Sequence, residues 1–225
     1  VGGLERVLAI KASYLADRLG YEVHIISLNE AGKDPFYEFS PSISFHTVET
    51  GSSKTRYFTG IRKLVKKLGP DVISVCDDGL KGFFVPLWVG GRARIIYERH
   101  VSKEMVTLGN KPNLKQRVSF SLMNMGSRLF DRFVVLTNQN KVQWRGKNVR
   151  VIPNPLPFYP ETVSPLDSKR IISVGKVTGH KGYDRLLSAW RLIGDKHPDW
   201  KIDIFGACPE DDPFRQMTAG TTINI

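Results

Sequence analysis

Apolar positions along this chain fall into two alternating spacings. After Gly2-Gly3, the residues Leu4, Val7, Leu8, Ala12, Leu15 and Leu19 recur every three or four positions, which predicts an amphipathic helix closed by Gly20. Val23 to Leu28 then reads as a buried strand, and Ile43 to Val48 as a second, shorter one. Tyr57, Ile61, Leu64, Val65 and Leu68 return to a single helical face, and Gly69-Pro70 stops that helix. Val72 to Cys76 is strand-like. Leu80 to Val89 has a mixed pattern and is read as a helix bent at Pro86. Arg94 to Glu98 predicts a strand, Leu114 to Phe130 a long helix, and Phe133 to Leu136 and Val149 to Ile152 two further strands.

Strands that alternate with helices predict an α/β fold with a parallel sheet covered on both faces. Ligands of such sheets bind beyond the carboxyl ends of the strands, so the loops that follow each strand are the places to search. Pro153, Pro155, Pro157, Pro160 and Pro165 then interrupt all periodicity, which marks a linker, with bounds set at 156–168. Residues 1–155 form the first domain in this reading and 169–225 part of a second. In the second, Arg170 to Val174 is a strand, Tyr183 to Ile193 a helix, Ile202 to Phe205 a strand, and Thr222 to Ile225 a further candidate strand. So short a piece is near the lower limit for a self-sufficient core and would leave one sheet face bare. A glycine pair opening a helix ordinarily follows a strand, yet only Val1 precedes it here. Both observations lead to the expectation that the natural protein extends beyond both ends of this sequence.

Composition narrows the function classes. Hydrophobic residues at 41% and charged residues at 24% are ordinary for a globular protein. No apolar run approaches the roughly 18 to 20 residues that span a bilayer, and no secretory signal opens the chain. Cys76 and Cys208 match neither a disulfide framework nor a metal spacing, and the histidines are scattered, so no metal site is expected. These features fit a cytoplasmic protein. The formal charge of +11 points to anionic partners. Part of it is concentrated: Lys54, Arg56, Arg62, Lys63, Lys66 and Lys67 share one segment without an acid. That helix could rest on anionic lipid at the inner face of the plasma membrane. No zinc finger, aromatic RNA-binding strand or helix-turn-helix accompanies the charge, so no nucleic acid is expected as a partner.

Two glycine-rich turns are candidates for phosphate chemistry. Gly2-Gly3 at a helix start would let a backbone approach an anion, although a plain tight turn has the same sequence. The second is more informative. The strand Ile171-Ile172-Ser173-Val174 delivers Gly175 and Lys176 to the sheet's carboxyl edge. Val177-Thr178-Gly179-His180 then leads to Lys181-Gly182 just before a helix. Two ammonium groups and backbone N–H groups converging there would suit a diphosphate, each charge-assisted bond contributing roughly 1.5 to 3 kcal/mol.

This second stretch, RIISVGKVTGHKGYDRLLSAW, resembles the donor-site signature of the large retaining GT-B glycosyltransferase family usually numbered four. GGLERVLAIKASYLADRLGYEVHIISL resembles that family's opening glycine loop and first helix-strand pair, DRFVVLTNQNK the strand before its interdomain crossing, and NVRVIPNPL the crossing itself. The resemblance implies two Rossmann-like domains across a cleft, the first binding the acceptor and the second the nucleotide. It implies that Lys181 holds the donor phosphates, with Gly175, Lys176 and Gly182 beside it. Lys176 stands where the family usually has arginine, and lysine lacks the bidentate fork. His100, which ends RIIYERH, is the best match for a family histidine that approaches the donor sugar and is the catalytic candidate. The family's paired glutamates belong to a later region than these residues reach, and Glu210 is not one of them.

The expected activity is transfer of a sugar from a UDP-, GDP- or ADP-linked donor to a saccharide or lipid-linked acceptor with retention, as in bacterial surface polysaccharide or glycolipid synthesis. No cofactor or metal is expected. The expected chemistry develops an oxocarbenium-like centre while charge grows on the leaving phosphate, stabilised by Lys181 and Lys176. The alternatives are a non-catalytic nucleotide-sugar-binding relic and a GT-B-fold epimerase or hydrolase.

Overall fold

The structure is a computed structural model, and it describes residues 3–77, 79–103, 107, 111–218 and 221–224. The chain divides into two compact units, Val1–Tyr159 and Pro160–Ile225. Every strand pairing in both units is parallel. Residues 152–169 hold no helix or strand and are exposed throughout.

In the first unit, helix α1 (Gly3–Leu19) buries Val7, Ala9 and Ala12 and ends at Gly20. Its polar side is tied down rather than free. Glu5 accepts from the Phe36 amide at 2.8 Å, Ser13 Oγ from the Ser40 amide at 2.9 Å, and Asp17 from Ser40 Oγ at 2.5 Å. Strands β1 (His24–Leu28) and β2 (Ser44–Val48) form a two-stranded sheet. Helix α2 (Lys54–Leu68) is capped by Ser53, whose hydroxyl accepts from the Arg56 amide, and is closed by Gly69 in the left-handed conformation. It buries Tyr57 and Val65 and leaves Lys54, Arg56, Arg62, Lys63, Lys66 and Lys67 exposed.

Strands β3 (Val72–Val75), β4 (Arg94–Arg99), β5 (Arg132–Val135) and β6 (Val149–Val151) form a four-stranded sheet in sequence order. The segment read as one bent helix is two pieces, a 3₁₀ turn at Leu80–Phe84 followed by helix α3 (Val85–Trp88). Pro86 falls in the first turn of α3, where its missing N–H costs nothing, so it starts a helix instead of bending one. Helix α4 (Leu114–Gly126) opens on a capping box between Asn113 and Gln116. It stops before the expected Phe130, because the chain tightens into a 3₁₀ turn at Ser127–Leu129. Helix α5 (Asn138–Lys141) is a single turn, too short to show a period in the sequence.

Strict alternation along β4 separates two environments. Ile95, Tyr97 and Arg99 face one side and are buried. Tyr97 stacks on Phe133 with centroids 5.1 Å apart and planes within 5°, and Phe83, Phe130 and Trp144 complete this aromatic core. Ile96 and Glu98 face the opposite side, toward α1.

In the second unit, β7 (Arg170–Val174), β8 (Lys201–Phe205) and β9 (Ile223–Asn224) form a three-stranded sheet. Helix α6 (Tyr183–Ile193) packs Tyr183, Leu187 and Trp190 against Ile202, Ile204 and Ile223. A last short helix, α7 (Pro213–Gln216), is capped by Asp212. At the amino end of the sheet, Asp203 receives both Arg170 Nε and Nη2, at 2.8 and 2.6 Å, and Asn224 Nδ2 at 2.8 Å, which ties the three strands together. One sheet face is covered only in part: Ile172 is 65% and Val174 78% exposed.

Candidate functional site

In the first unit, the carboxyl edge of the sheet borders a cavity of about 400 Å³. Its walls are the apolar stripe of α1 (Val7, Ile10, Tyr14 and Leu15) and the facing strand positions Ile96, Val134 and Leu136. Ile152 to Pro155 close one side. Lys11, Glu98 and His100 are the basic and acidic members of this lining.

Those three side chains form one network. Lys11 Nζ and Ser74 Oγ both donate to Glu98 Oε1. His100 Nε2 lies 3.7 Å from Glu98 Oε2. The imidazole is 11% exposed and the carboxylate 15%. Burial by itself pushes the Glu98 carboxyl up, but the facing His100, the Lys11 ammonium and the Ser74 hydroxyl together outweigh it and bring the group down to about 2. Ligand-type atoms of Cys76, Glu98 and His100 also fall within 4.8 Å of one another. The Lys11 ammonium already neutralises the carboxylate there, so a cation would have to compete with it.

The loop that carries His100 is anchored a few residues on. Lys103 is 8% exposed. Its Nζ donates to Asn124 Oδ1 at 2.6 Å and to the Gln143 carbonyl at 2.8 Å, and it lies 3.7 Å over the Trp144 ring. Its own amide donates to Gln143 Oε1 at 3.0 Å. Burial, and then the charges of Arg99 and Arg145, bring the ammonium down to about 8.

In the second unit, backbone geometry rather than side-chain pairing shapes the turn after β7. Gly175 N–H donates to the Phe205 carbonyl at 2.9 Å, and Val177 N–H to the Ala207 carbonyl at 3.1 Å. Tyr183 Oη donates to the Gly175 carbonyl at 3.1 Å, fixing the strand end to the helix start. Where β8 ends, Gly206 crosses so close that a Cβ there would stand 2.0 Å from the Gly175 carbonyl oxygen. A 3₁₀ turn at Gly179–Lys181 leads to Gly182 at φ 82°, a conformation that favours glycine, and α6 starts one residue later.

Lys176 and Lys181 are exposed on this turn, and neither has a carboxylate within ion-pair distance among the described residues. The amides of Lys181 and Gly182 are not free, because they donate to Thr178 and Gly179 carbonyls at 3.0 and 2.9 Å. Donors at this place include the two ammonium groups and the amides of Tyr183 and Asp184, which open α6. Gly3 opens α1 with open space around it, while Gly2 lies outside the described residues. His100 and the Gly175–Gly182 turn belong to different units.

Sequence reasoning missed Glu98, Lys11, Ser74, Tyr183 and Gly206. Two of these left a signal. Glu98 holds the same strand face as Ile96, and Lys11 interrupts the apolar stripe of α1. A charge at an inward position on each of two facing elements is an ion-pair signature.

Similarity to known proteins agrees with this geometry. The sequence model of Glycosyltransferase Family 4 matches residues 1–157. An uncharacterized glycosyltransferase of Haemophilus influenzae is 30% identical, over 99% of this chain and 63% of its own length. The amylovoran biosynthesis glycosyltransferase AmsD of Erwinia amylovora is 26% identical, over 91% of this chain and 58% of its own. The chain thus spans about three fifths of the length of these curated relatives. Among solved structures, sucrose-phosphate synthase from Thermosynechococcus elongatus superposes with a TM-score of 0.72 over 100% of this chain and 64% of its own, at 16% identity. That likeness is one of GT-B fold. With a parallel sheet, the cavity at its carboxyl edge and the family match all on 1–157, the chain is a member of Glycosyltransferase Family 4.

Proposed function

We propose that this chain transfers a sugar from a nucleoside-diphosphate-sugar to an acceptor, with retention, in polysaccharide or glycolipid synthesis. The observation that carries the reading is the turn from Gly175 to Gly182. Two lysines without carboxylate partners among the described residues stand on a glycine-shaped bend between β7 and the start of α6. A diphosphate there would meet two ammonium groups and a helix N-terminus. As the bond from the anomeric carbon to the phosphate oxygen breaks, negative charge grows on the leaving phosphate, and Lys181 and Lys176 stabilise it. The acceptor hydroxyl forms the new bond on the same face and passes its proton to the leaving phosphate oxygen. His100, at the cavity edge of the first unit, touches the donor sugar. In this scheme the first unit serves the acceptor and the second the nucleotide.

Calorimetric titration with UDP, GDP and ADP tests the reading. Lys181→Ala is expected to weaken binding of the accepted nucleotide at least about tenfold, or about 1.4 kcal/mol. Unchanged affinity would sink the assignment. A nucleotide that binds while no transfer product forms would favour a sugar-binding relic, and an altered free nucleotide-sugar an epimerase or hydrolase.

The basic face of α2 supports a second element of the proposal, peripheral contact with anionic lipid at the cytoplasmic membrane face, where a lipid-linked acceptor would be met. Six exposed cations lie on a helix whose other side is packed by Tyr57 and Val65. Among the described residues, no helix is long and apolar enough to cross a membrane. Flotation with anionic and neutral vesicles at low salt tests this, and equal recovery with both counts against it.

A further inference from the structure

Four side chains from two strand ends and one helix converge at the wall of the cavity. Lys11 of α1 and Ser74 of β3 both donate to one oxygen of Glu98, so the carboxylate cannot rotate without losing both bonds. The other oxygen, Oε2, is left pointing at His100. Nε2 of His100 is buried and has no hydrogen-bond partner among the described residues. Its separation from Oε2, 3.7 Å, is too long for a hydrogen bond but short for an electrostatic contact. A buried polar atom without a partner calls for an explanation, and a site awaiting a ligand is one.

A neutral imidazole carries its proton on one nitrogen only, and the neighbouring acceptor selects which. An ionised carboxylate facing Nε2 favours the proton there. We propose that Glu98 is a positioning residue that holds His100 as its Nε2–H tautomer, so that the pair receives a substrate hydroxyl. A hydroxyl oxygen brought to about 2.8 Å from both atoms would accept from Nε2–H and donate to Oε2, displacing the atoms that now cover Nε2. Both groups line the cavity that such a hydroxyl would enter. Lys11 and Ser74 act one step further back, fixing the direction in which Glu98 points. The inference rests on the reading of His100 as the group that touches the donor sugar.

Nitrogen-15 NMR of the histidine rings at neutral pH tests it without needing the donor. The His100 signals are identified by their loss in His100→Gln. In the unaltered chain the Nε2–H form is expected to dominate, and in Glu98→Met the ratio of Nε2–H to Nδ1–H is expected to fall at least about tenfold. Glu98→Asp, which keeps the charge, is expected to restore most of the ratio. An unchanged ratio in Glu98→Met, or Nδ1–H dominance in the unaltered chain, overturns the inference. Should Glu98→Met fail to fold by circular dichroism, Glu98→Gln replaces it, with an expected fall of at least about threefold and the same overturning result. Transfer assays on His100→Ala judge the other reading separately. Full activity there removes His100 from contact with the sugar, whatever Glu98 does to its tautomer.

Discussion

The two units answer the same structural problem with different materials. Each holds a parallel sheet whose carboxyl edge faces a helix start or a helix flank. In the first unit the edge is furnished by side chains: Lys11, Ser74, Glu98 and His100 form one polar network inside an otherwise apolar cavity. In the second it is furnished by backbone: Gly175, Gly182 and Gly206 bring main chain to places that a Cβ would obstruct or strain, and the cations stand outside, exposed. A buried network can discriminate hydroxyls by direction, because each of its members is held. A glycine turn with exposed cations recognises charge and tolerates variation in what carries it. In the reading proposed above, selective contacts to sugar therefore belong to the first unit and general affinity for phosphate to the second.

Perturbations should follow this division. The largest effect is expected from Gly206→Val, because the obstructing atom is the Gly175 carbonyl, which is main chain and cannot swing away. Overpacking combined with backbone displacement should cost about 3 kcal/mol or more, read as the loss of the second unit's thermal transition with the first unit's retained.

Next comes acid. The Glu98 carboxyl lies at about 2 in the folded chain against an ordinary 4.5, so its protonation is resisted by the folded state. Its contribution, about 3 kcal/mol, is full above pH 4.5 and disappears as pH falls through about 2. Glu98→Gln should flatten the stability of the first unit over that interval, and a profile parallel to the unaltered chain would refute the network's energetic role.

Lys103 adds a slope of the same sign at higher pH, but there the charged form is the one the fold disfavours. Its ammonium lies at about 8 in the folded chain against 10.5 ordinarily, so the native state binds fewer protons between those values and stability rises with pH there. The gain should reach about 2 kcal/mol by a pH of about 9.5, and Lys103→Met should lack it in urea titrations. Smallest of all for folding is Lys181→Ala, expected to leave stability within about 0.5 kcal/mol because its side chain is exposed, while lowering nucleotide affinity as described. A stability loss above that would mean the turn depends on its cation and would blur the division between the units.

Much of the fold was legible because the hydrophobic period changes sharply at Gly20, Gly69 and Pro70, where the backbone turns. The strands β1 to β8 fall where apolar runs predict them. What was not legible is short or tertiary. Helices α5 and α7 hold a single turn each, and α4 ends early for a reason internal to the 3₁₀ geometry at Ser127. In the site, His100 and Lys181 were found by position after a strand and by motif. Glu98 read only as the end of a strand, since an inward carboxylate has meaning only once Lys11 and Ser74 are known to face it. The engagement of the Lys181 and Gly182 amides within their own turn was equally invisible, because sequence records a glycine and a lysine but not which carbonyl lies behind them.

The crossing of Gly206 over the Gly175 carbonyl also bears on how related sequences can be read. A side chain at position 206 cannot be accommodated by adjustment at that position alone, since the obstacle belongs to a turn thirty or so residues earlier in the chain. The two turns are thus sterically coupled. A sequence that keeps the Lys-Gly signature but carries a side chain at the position of Gly206 should differ in the turn at Gly175 as well, and that pair of positions offers a two-point test for telling a working donor loop from a coincidental motif.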